Sequence, residues 1–315
     1  MIDGRLVRFV IAKLDRVSVH AALGGPNVGE TAWLADIAKH AHAIAAINGG
    51  YFEAYAKHVP RKNLDQTTVV DGSMVFKGDV GSVLYFDRDN RASIARIPLR
   101  IVGSLDGSYE YPNTWYAYWI NRLPSSPNEQ TITIFTPAWG DETGLRGGPQ
   151  IQVEGGVVSK INYGSTTIPR DGFVIYFHGE PSVAFRFWVG RRAAYTVKTE
   201  PGGLDGFANA WEAIGGGPQL LVEGNEFTDP RAEGFHDPKV LRPGTRSMVG
   251  VSEDQSELIF AVANASLAEC AHIMKRLGAY DAMNLDGGAS TGLWANGKYL
   301  YSPGRQINNA LVLTP

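Results

Sequence analysis

The sequence predicts an α+β fold: a single domain of mixed, largely antiparallel β-sheets, with a few flanking helices and a cleft lined by glycine-rich loops. Three observations point to it. Between residues 67 and 198, short β-branched runs alternate with polar turns, and no helical period intervenes. Helical periodicity is confined to residues 28–41 and 266–277, and each segment feeds a short apolar strand that stops at a glycine pair. No proline-rich or charged linker divides the chain, so residues 1–315 read as one domain.

Residues 5–22 are β-branched and alternating, which predicts one or two strands. Asn27 and Glu30 stand at capping-box spacing, and Leu34, Ile37, Ala38 and Ala41 follow at helical intervals, predicting a helix over 28–41. The apolar run from Ala43 to Ile47 then delivers Asn48-Gly49-Gly50-Tyr51-Phe52, a buried strand ending in a tight loop. Further strands are expected at 69–70, 83–86, 131–136, 150–153, 173–177, 185–189 and 193–198, around an irregular, aromatic-rich stretch at 104–130. The segments Gly147–Gly155 and Gly216–Gly224 echo each other as Gly-Gly-Pro-Gln, an alternating run and Glu-Gly. Because their flanks differ, they read as two similar hairpins rather than a duplication.

Residues 248–252 and 258–262 bracket a polar turn and predict another hairpin. Ser266 and Glu269 form a capping box for a helix whose stripe is Leu267, Cys270, Ala271, Met274 and Leu277. Lys275 and Arg276 suit the negative end of that helix dipole, and Gly278 suits its left-handed cap. A strand at 282–285 ends in Asp286-Gly287-Gly288, and Asn296-Gly297 turns a final hairpin between 293–295 and 298–301.

Composition narrows the function. With 19% charged residues and a formal net charge of −3, bulk electrostatics do not favour nucleic acid or an anionic membrane. Apolar runs are too short to insert in a bilayer. Cys270 is the single cysteine, which excludes an internal disulfide and a cysteine-based metal site. The first residues lack a charged leader followed by an apolar core. The expectation is a cytoplasmic protein as it stands, or a secreted or periplasmic one where a leader has been removed. Oligomeric state is left open.

The 37 glycines gather at loop tips, and three of these loops carry the chemistry. Asn284 and Asp286 share one face of a strand end, and Gly287 and Gly288 then let backbone N–H groups approach a ligand. Asn48-Gly49-Gly50-Tyr51 repeats the design, and Gly216-Gly217 belongs to the third loop. Each loop alone is equally an ordinary turn; three together argue for a shared cleft. Arg246, entering an apolar strand, needs a partner for its charge. A phosphate or carboxylate ligand would serve bidentately, and so would an internal acid. Ser290 and Thr291 extend the Asp286 loop. His178 and His236 are phosphate-binding candidates, although a lone loop histidine is more often a bystander. The aromatics from Tyr109 to Trp119 suit a sugar-stacking wall, a satellite core or a contact between copies.

In order, INGGYF, VVDG, TTIPRDGFVIYFHG, AIGGGPQLLVEG, GTRSMVGVS, NLDGGAST and NNALVL resemble the phosphodiester glycosidase family over residues 44–313. The resemblance implies hydrolysis of a bond between a sugar anomeric carbon and phosphate, with Asn48, Arg246, Asn284 and Asp286 lining the site. The chain departs from the family's pattern at Ala289, where a third glycine is usual, and at Ser247, where threonine is usual. On this reading Arg246 and loop N–H groups hold phosphate, and Asp286 is the base for water or the nucleophile. Asn48 and Asn284 orient sugar hydroxyls or that carboxylate, and Glu53 is the candidate second carboxylate. No cofactor is expected; a divalent cation beside Asp286 is compatible with the sequence, but no ligand spacing demands one. The competing readings are a glycosidase acting on cell-wall or exopolysaccharide linkages, and a non-catalytic carbohydrate-binding or polysaccharide-assembly protein.

Overall fold

The computed structural model of the chain describes residues 1–57, 59, 61–179, 181–200 and 205–315. Their strands form five sheets, and all the strand pairings are antiparallel except Trp119–Ile120 against Thr131–Phe135. The α+β expectation therefore holds, with the balance well towards β.

Two sheets carry the legible last third of the chain. In the first, the hairpin Gly244–Val251 and Glu257–Ala265 lies beside Val7–Lys13 on one side. On the other side come Asp281–Asn284, Gln219–Val222 and Asn225–Glu226. The second sheet orders Ser18–Leu23, Asn309–Thr314, Ala45–Asn48, Leu293–Ala295 and Lys298–Tyr301. A third sheet places Glu212–Gly216 between Thr68–Val70 and Ser82–Phe86. One apolar cluster joins all three: Val249, Phe260 and Leu285 from the first, Ile47 and Leu311 from the second, Leu84 and Ile214 from the third. The strands Ala45–Asn48 and Ser82–Phe86 are buried at every position because they have neighbours on both faces.

The helix Leu267–Arg276 forms as its sequence requires. The Ser266 side chain accepts from the Glu269 N–H and the Glu269 side chain accepts from the Ser266 N–H, completing the capping box. Its stripe packs Cys270, Ala271 and Met274 on Ala261 and Leu221 of the first sheet. The other expected helix is shorter than its periodicity, spanning Leu34–His40. Asn27 and Glu30 do interact, Nδ2 donating to Oε1 at 2.7 Å, but they close a turn rather than cap a helix. The backbone there is already engaged: Val28 N–H donates to Ala138 O, and Ala32 pairs with Ile307.

A second correction concerns residues 185–189, expected as a strand. A helical turn, Pro181–Ala184, runs into further turns there. The apolar alternation marks surface aromatics instead: Phe185 and Trp188 are exposed, while Phe187 packs in the core of a fourth sheet, which orders Trp119–Ile120, Thr131–Phe135, Gly172–His178, Gln150–Glu154 and Val157–Asn162. Both Gly-Gly-Pro-Gln segments form hairpins, Gln150–Glu154 with Val157–Asn162 and Gln219–Val222 with Asn225–Glu226. The hairpin at Asn296-Gly297 pairs Leu293–Ala295 with Lys298–Tyr301 as expected. Trp115 is buried in a core cluster, whereas Tyr111, Tyr116 and Tyr118 face solvent. Among the described residues, no helix is long and apolar enough to cross a membrane.

Candidate functional site

A cavity of about 310 Å³ opens where the first two sheets meet, at the end of the strand that Asp286 follows. Its walls include Tyr51, Tyr55, Asp65, Lys239, Arg246, Asp286, Gly287, Gly288, Ser290 and Arg305. A larger apolar hollow of about 420 Å³ lies around Pro149, Ile151 and Phe187, but no carboxylate, histidine or cation lines it. Other hollows also have charged linings, around Asp79, Arg96 and Glu200 and around Asp87, Arg88 and Asp89; the cavity at Asp286 is the one among these that the Asn48 and Asp286 loops border.

Asn48 builds the floor. Its Oδ1 accepts from the Ser247 hydroxyl at 2.6 Å and from the Gly292 N–H at 3.0 Å. Its Nδ2 donates to the backbone carbonyl of Asp286 at 2.8 Å. The Asp286 N–H in turn donates to Gly49 O at 3.0 Å, so the two loops hold each other. The fully engaged Asn48 side chain thus sits behind Asp286, not in the cavity. Ser247, the departure from the family's usual threonine, supplies the hydroxyl this contact needs. Gly49 is required by close approach: a Cβ there would stand 1.8 Å from Asn309 Oδ1 and 2.3 Å from Ile214 Cδ1. Asn309 also accepts from the Gly50 N–H at 2.7 Å.

Asn284 is fully buried and acts on Tyr51. Its Nδ2 donates to the Tyr51 hydroxyl at 2.7 Å, and that hydroxyl donates to Gly217 O at 3.1 Å. Gly216 and Gly217, the third loop, lie behind Tyr51 and reach the cavity only through it. Burial pushes the Tyr51 phenol well above its ordinary range, with the nearby Asp286 carboxylate adding to the effect.

Asp286 faces the cavity. Desolvation raises its pKa to about 7; the Ser290 side chain, Arg305 and the Gly287 N–H oppose that rise, and the charge of Asp65 adds to it. Arg246 is 3% exposed and enters from the neighbouring strand. Its Nη2 donates to Val240 O at 2.7 Å and to Arg242 O, while the buried Nε makes no hydrogen bond. Among the described residues no carboxylate lies within salt-bridge distance of it, so the internal-acid alternative is not realised. A Cβ on Gly287 would meet Thr245 O at 2.7 Å and approach Arg246 Nη1 at 3.7 Å; glycine lets this backbone lie against the guanidinium. Ala289 adopts no left-handed torsion, so the missing third glycine creates no strain. Ser290 is buried on the cavity wall, and Thr291 is buried one residue beyond it.

Glu53 is not part of the lining. Its oxygens accept from Asn63 Nδ2 and the Ser125 hydroxyl, both at 3.1 Å. The second carboxylate in the cavity is Asp65, which the sequence reading missed. Although exposed, it has a pKa raised to about 6, first by desolvation and second by neighbouring Glu53. A third, Asp237, is engaged in capping, accepting from the Lys239 N–H at 2.8 Å. His178 belongs to the fourth sheet, where Nδ1 meets Glu129 O, and His236 is exposed beside the cavity without lining it.

Elsewhere, His20, Asp71 and Glu212 bring potential metal-ligand atoms within 4.8 Å of one another. Glu212 is committed there to the Ala21 N–H at 3.0 Å and to His20 Nδ1 at 3.2 Å.

The whole fold recurs in known structures. A hypothetical protein from Synechocystis superposes with a TM-score of 0.85 at 23% identity over 99% of this chain, which spans 60% of that protein. A putative exported protein from Burkholderia pseudomallei gives 0.78 at 19% identity, covering 99% of this chain and 74% of its own. The catalytic domain of zebrafish N-acetylglucosamine-1-phosphodiester alpha-N-acetylglucosaminidase, auto-inhibited by its pro-peptide, gives 0.51 at 13% identity, covering 100% of this chain and 85% of that one. At these identities the likeness establishes the fold. No curated protein matches the sequence. Residues 147–314, more than half the chain and including Arg246, Asn284 and Asp286, match the family described as phosphodiester glycosidase; the chain belongs to that family.

Proposed function

We propose that this protein hydrolyses the bond between a sugar anomeric carbon and phosphate in a sugar-1-phosphodiester. The observation that carries the reading is the pairing, in one cavity, of a carboxyl group poised near pH 7 with a buried guanidinium that retains an uncommitted N–H. Arg246 and the Gly288 N–H bind the phosphate and favour the charge that gathers on it. Ionised Asp286 acts as base for water or as the nucleophile. In the water route, the anomeric C–O bond breaks with its electron pair going to the phosphate oxygen. Water supplies the new C–O bond, and its proton passes to Asp286. A phosphomonoester leaves readily near neutral pH, so little protonation of the leaving group is needed.

The role first expected of Glu53 falls to Asp65, whose negative charge helps keep the Asp286 pKa near neutrality. Asn48 and Asn284 are positioning residues, the first holding the Asp286 backbone and the second the Tyr51 ring. The test is turnover of a p-nitrophenyl sugar-phosphate diester by wild type, Asp286→Asn and Arg246→Lys. Asp286→Asn should lose about 10³-fold in kcat, and Arg246→Lys about 10²-fold in kcat/KM. Full turnover in Asp286→Asn would refute the assignment. If wild type turns over no substrate yet binds glycans, the non-catalytic reading replaces this one.

A further inference from the structure

The cavity lining holds three cations, Lys239, Arg246 and Arg305, more than a single phosphate needs. Tyr55 stands there 71% exposed. Arg305 donates Nη2 to the Tyr55 hydroxyl at 2.7 Å and places Cζ 4.6 Å from the ring centroid; Lys239 brings Nζ to 5.0 Å from the same centroid. These residues come from three separate segments, all lining the cavity that contains Arg246 and Asp286. Among the described residues, neither Lys239 nor Arg305 lies within salt-bridge distance of a carboxylate. Two cations held against one ring repel each other, and an anion between them would reverse that.

We propose that Lys239, Tyr55 and Arg305 form a second anion subsite. It selects substrates whose scissile phosphate is followed by another phosphate, as in a nucleoside diphosphate sugar or a lipid diphosphate sugar. The inference rests on the reading of the cavity as a sugar-phosphate site. Arg246 holds the inner phosphate; the flat guanidinium of Arg305, already steadied by Tyr55, takes the outer one, and Lys239 supplies a point charge opposite. The carboxylates that share the cavity are not paired with these cations: Asp237 is turned to its helix cap, and Asp65 and Asp286 lie beyond salt-bridge distance of Lys239 and Arg305.

Calorimetric titration with inorganic phosphate and with pyrophosphate, in metal-free buffer, tests the subsite without requiring turnover. Wild type should bind pyrophosphate about tenfold or more tighter than phosphate, and Lys239→Gln or Arg305→Gln should each shrink that ratio by about tenfold. Lys275→Gln, which removes the same charge from the helix Leu267–Arg276 outside the cavity, should leave the ratio unchanged. Equal affinity for the two anions in wild type, or an undiminished ratio in both mouth variants, overturns the proposal. A parallel assay compares kcat/KM for a nucleoside diphosphate sugar with that for a simple sugar-phosphate diester. Hydrolysis without a pyrophosphate preference sinks the subsite and leaves the reaction standing. A pyrophosphate preference without hydrolysis does the reverse.

Discussion

Asp286 combines two properties that oppose each other. Its cavity walls make ionisation costly, raising its pKa from 3.8 to about 7, yet the proposed chemistry needs the ionised form. For a carboxyl group whose folded pKa is raised, the associated stability is fully present below the unfolded value. It is lost as pH climbs through the folded one. The native state should therefore weaken between about pH 4 and pH 7 while activity grows over the upper part of that range. A rise of this size corresponds to about 4 kcal/mol in a dry site. Solvent access through the cavity lowers the expectation to about 2 kcal/mol. Asp286→Asn should thus be more stable than wild type by about that amount at pH 8, with the gap closing towards pH 4. Denaturant midpoints at the two pH values check this. In wild type, log kcat/KM should rise with pH and level off above about 7, and an alkaline loss of rate in its place would exclude Asp286 as base or nucleophile.

At the scale of elements, the sequence exposed what was local and hid what was assembled. The capping box at Ser266, the turn at Asn296-Gly297 and the strands entering Asn48 and Asp286 could all be read because each is specified within a few residues. Asp65 could not: it is a lone acid in a loop, brought to the cavity by its N–H bond to Tyr51 O at 3.0 Å. Lys239 and Arg305 carry no motif either, and only tertiary structure sets them against Tyr55. Asn27 and Glu30 failed in the opposite way, a valid local signal overridden by pairing of the same backbone elsewhere. The loop after Ala45–Asn48 shows how one strand end governs the site. Gly49→Ala would drive a methyl group into Asn309 and Ile214, displacing the loop whose carbonyl receives the Asp286 N–H. It should cost about 2 kcal/mol of stability and lower kcat about tenfold or more, since a small displacement of the carboxylate suffices. Gly297→Ala, with open space around its Cβ but a φ of +83°, should cost stability and leave kcat intact.

For the whole molecule, the question is whether the five sheets act as one cooperative unit. The cluster around Leu285 joins the three sheets nearest the cavity, whereas Ile134, Ile151 and Phe177 belong to the core shared by the other two. A further cluster links these regions, setting Phe135, Val174 and Tyr176 of the fourth sheet against Val75 and Phe76 of the third, with Leu64 beside Asp65. We therefore expect residues 1–315 to unfold as a single domain. Leu285→Ala and Ile134→Ala, both fully buried in wild type, should each lower the midpoint of one common transition by about 2–5 kcal/mol. Their effects on the site should differ. Leu285 immediately precedes Asp286 and donates its N–H to Ser247 O at 2.8 Å, so its truncation should lower kcat as well as stability. Ile134→Ala should act on stability alone. Paired calorimetric and chemical denaturation traces decide the matter: two resolved transitions, only one of them moved by each substitution, would divide the chain between the two cores. A single shifted transition would mean that the bridge through Phe76 and Phe135 couples distant packing to the stability of the Asp286 loop.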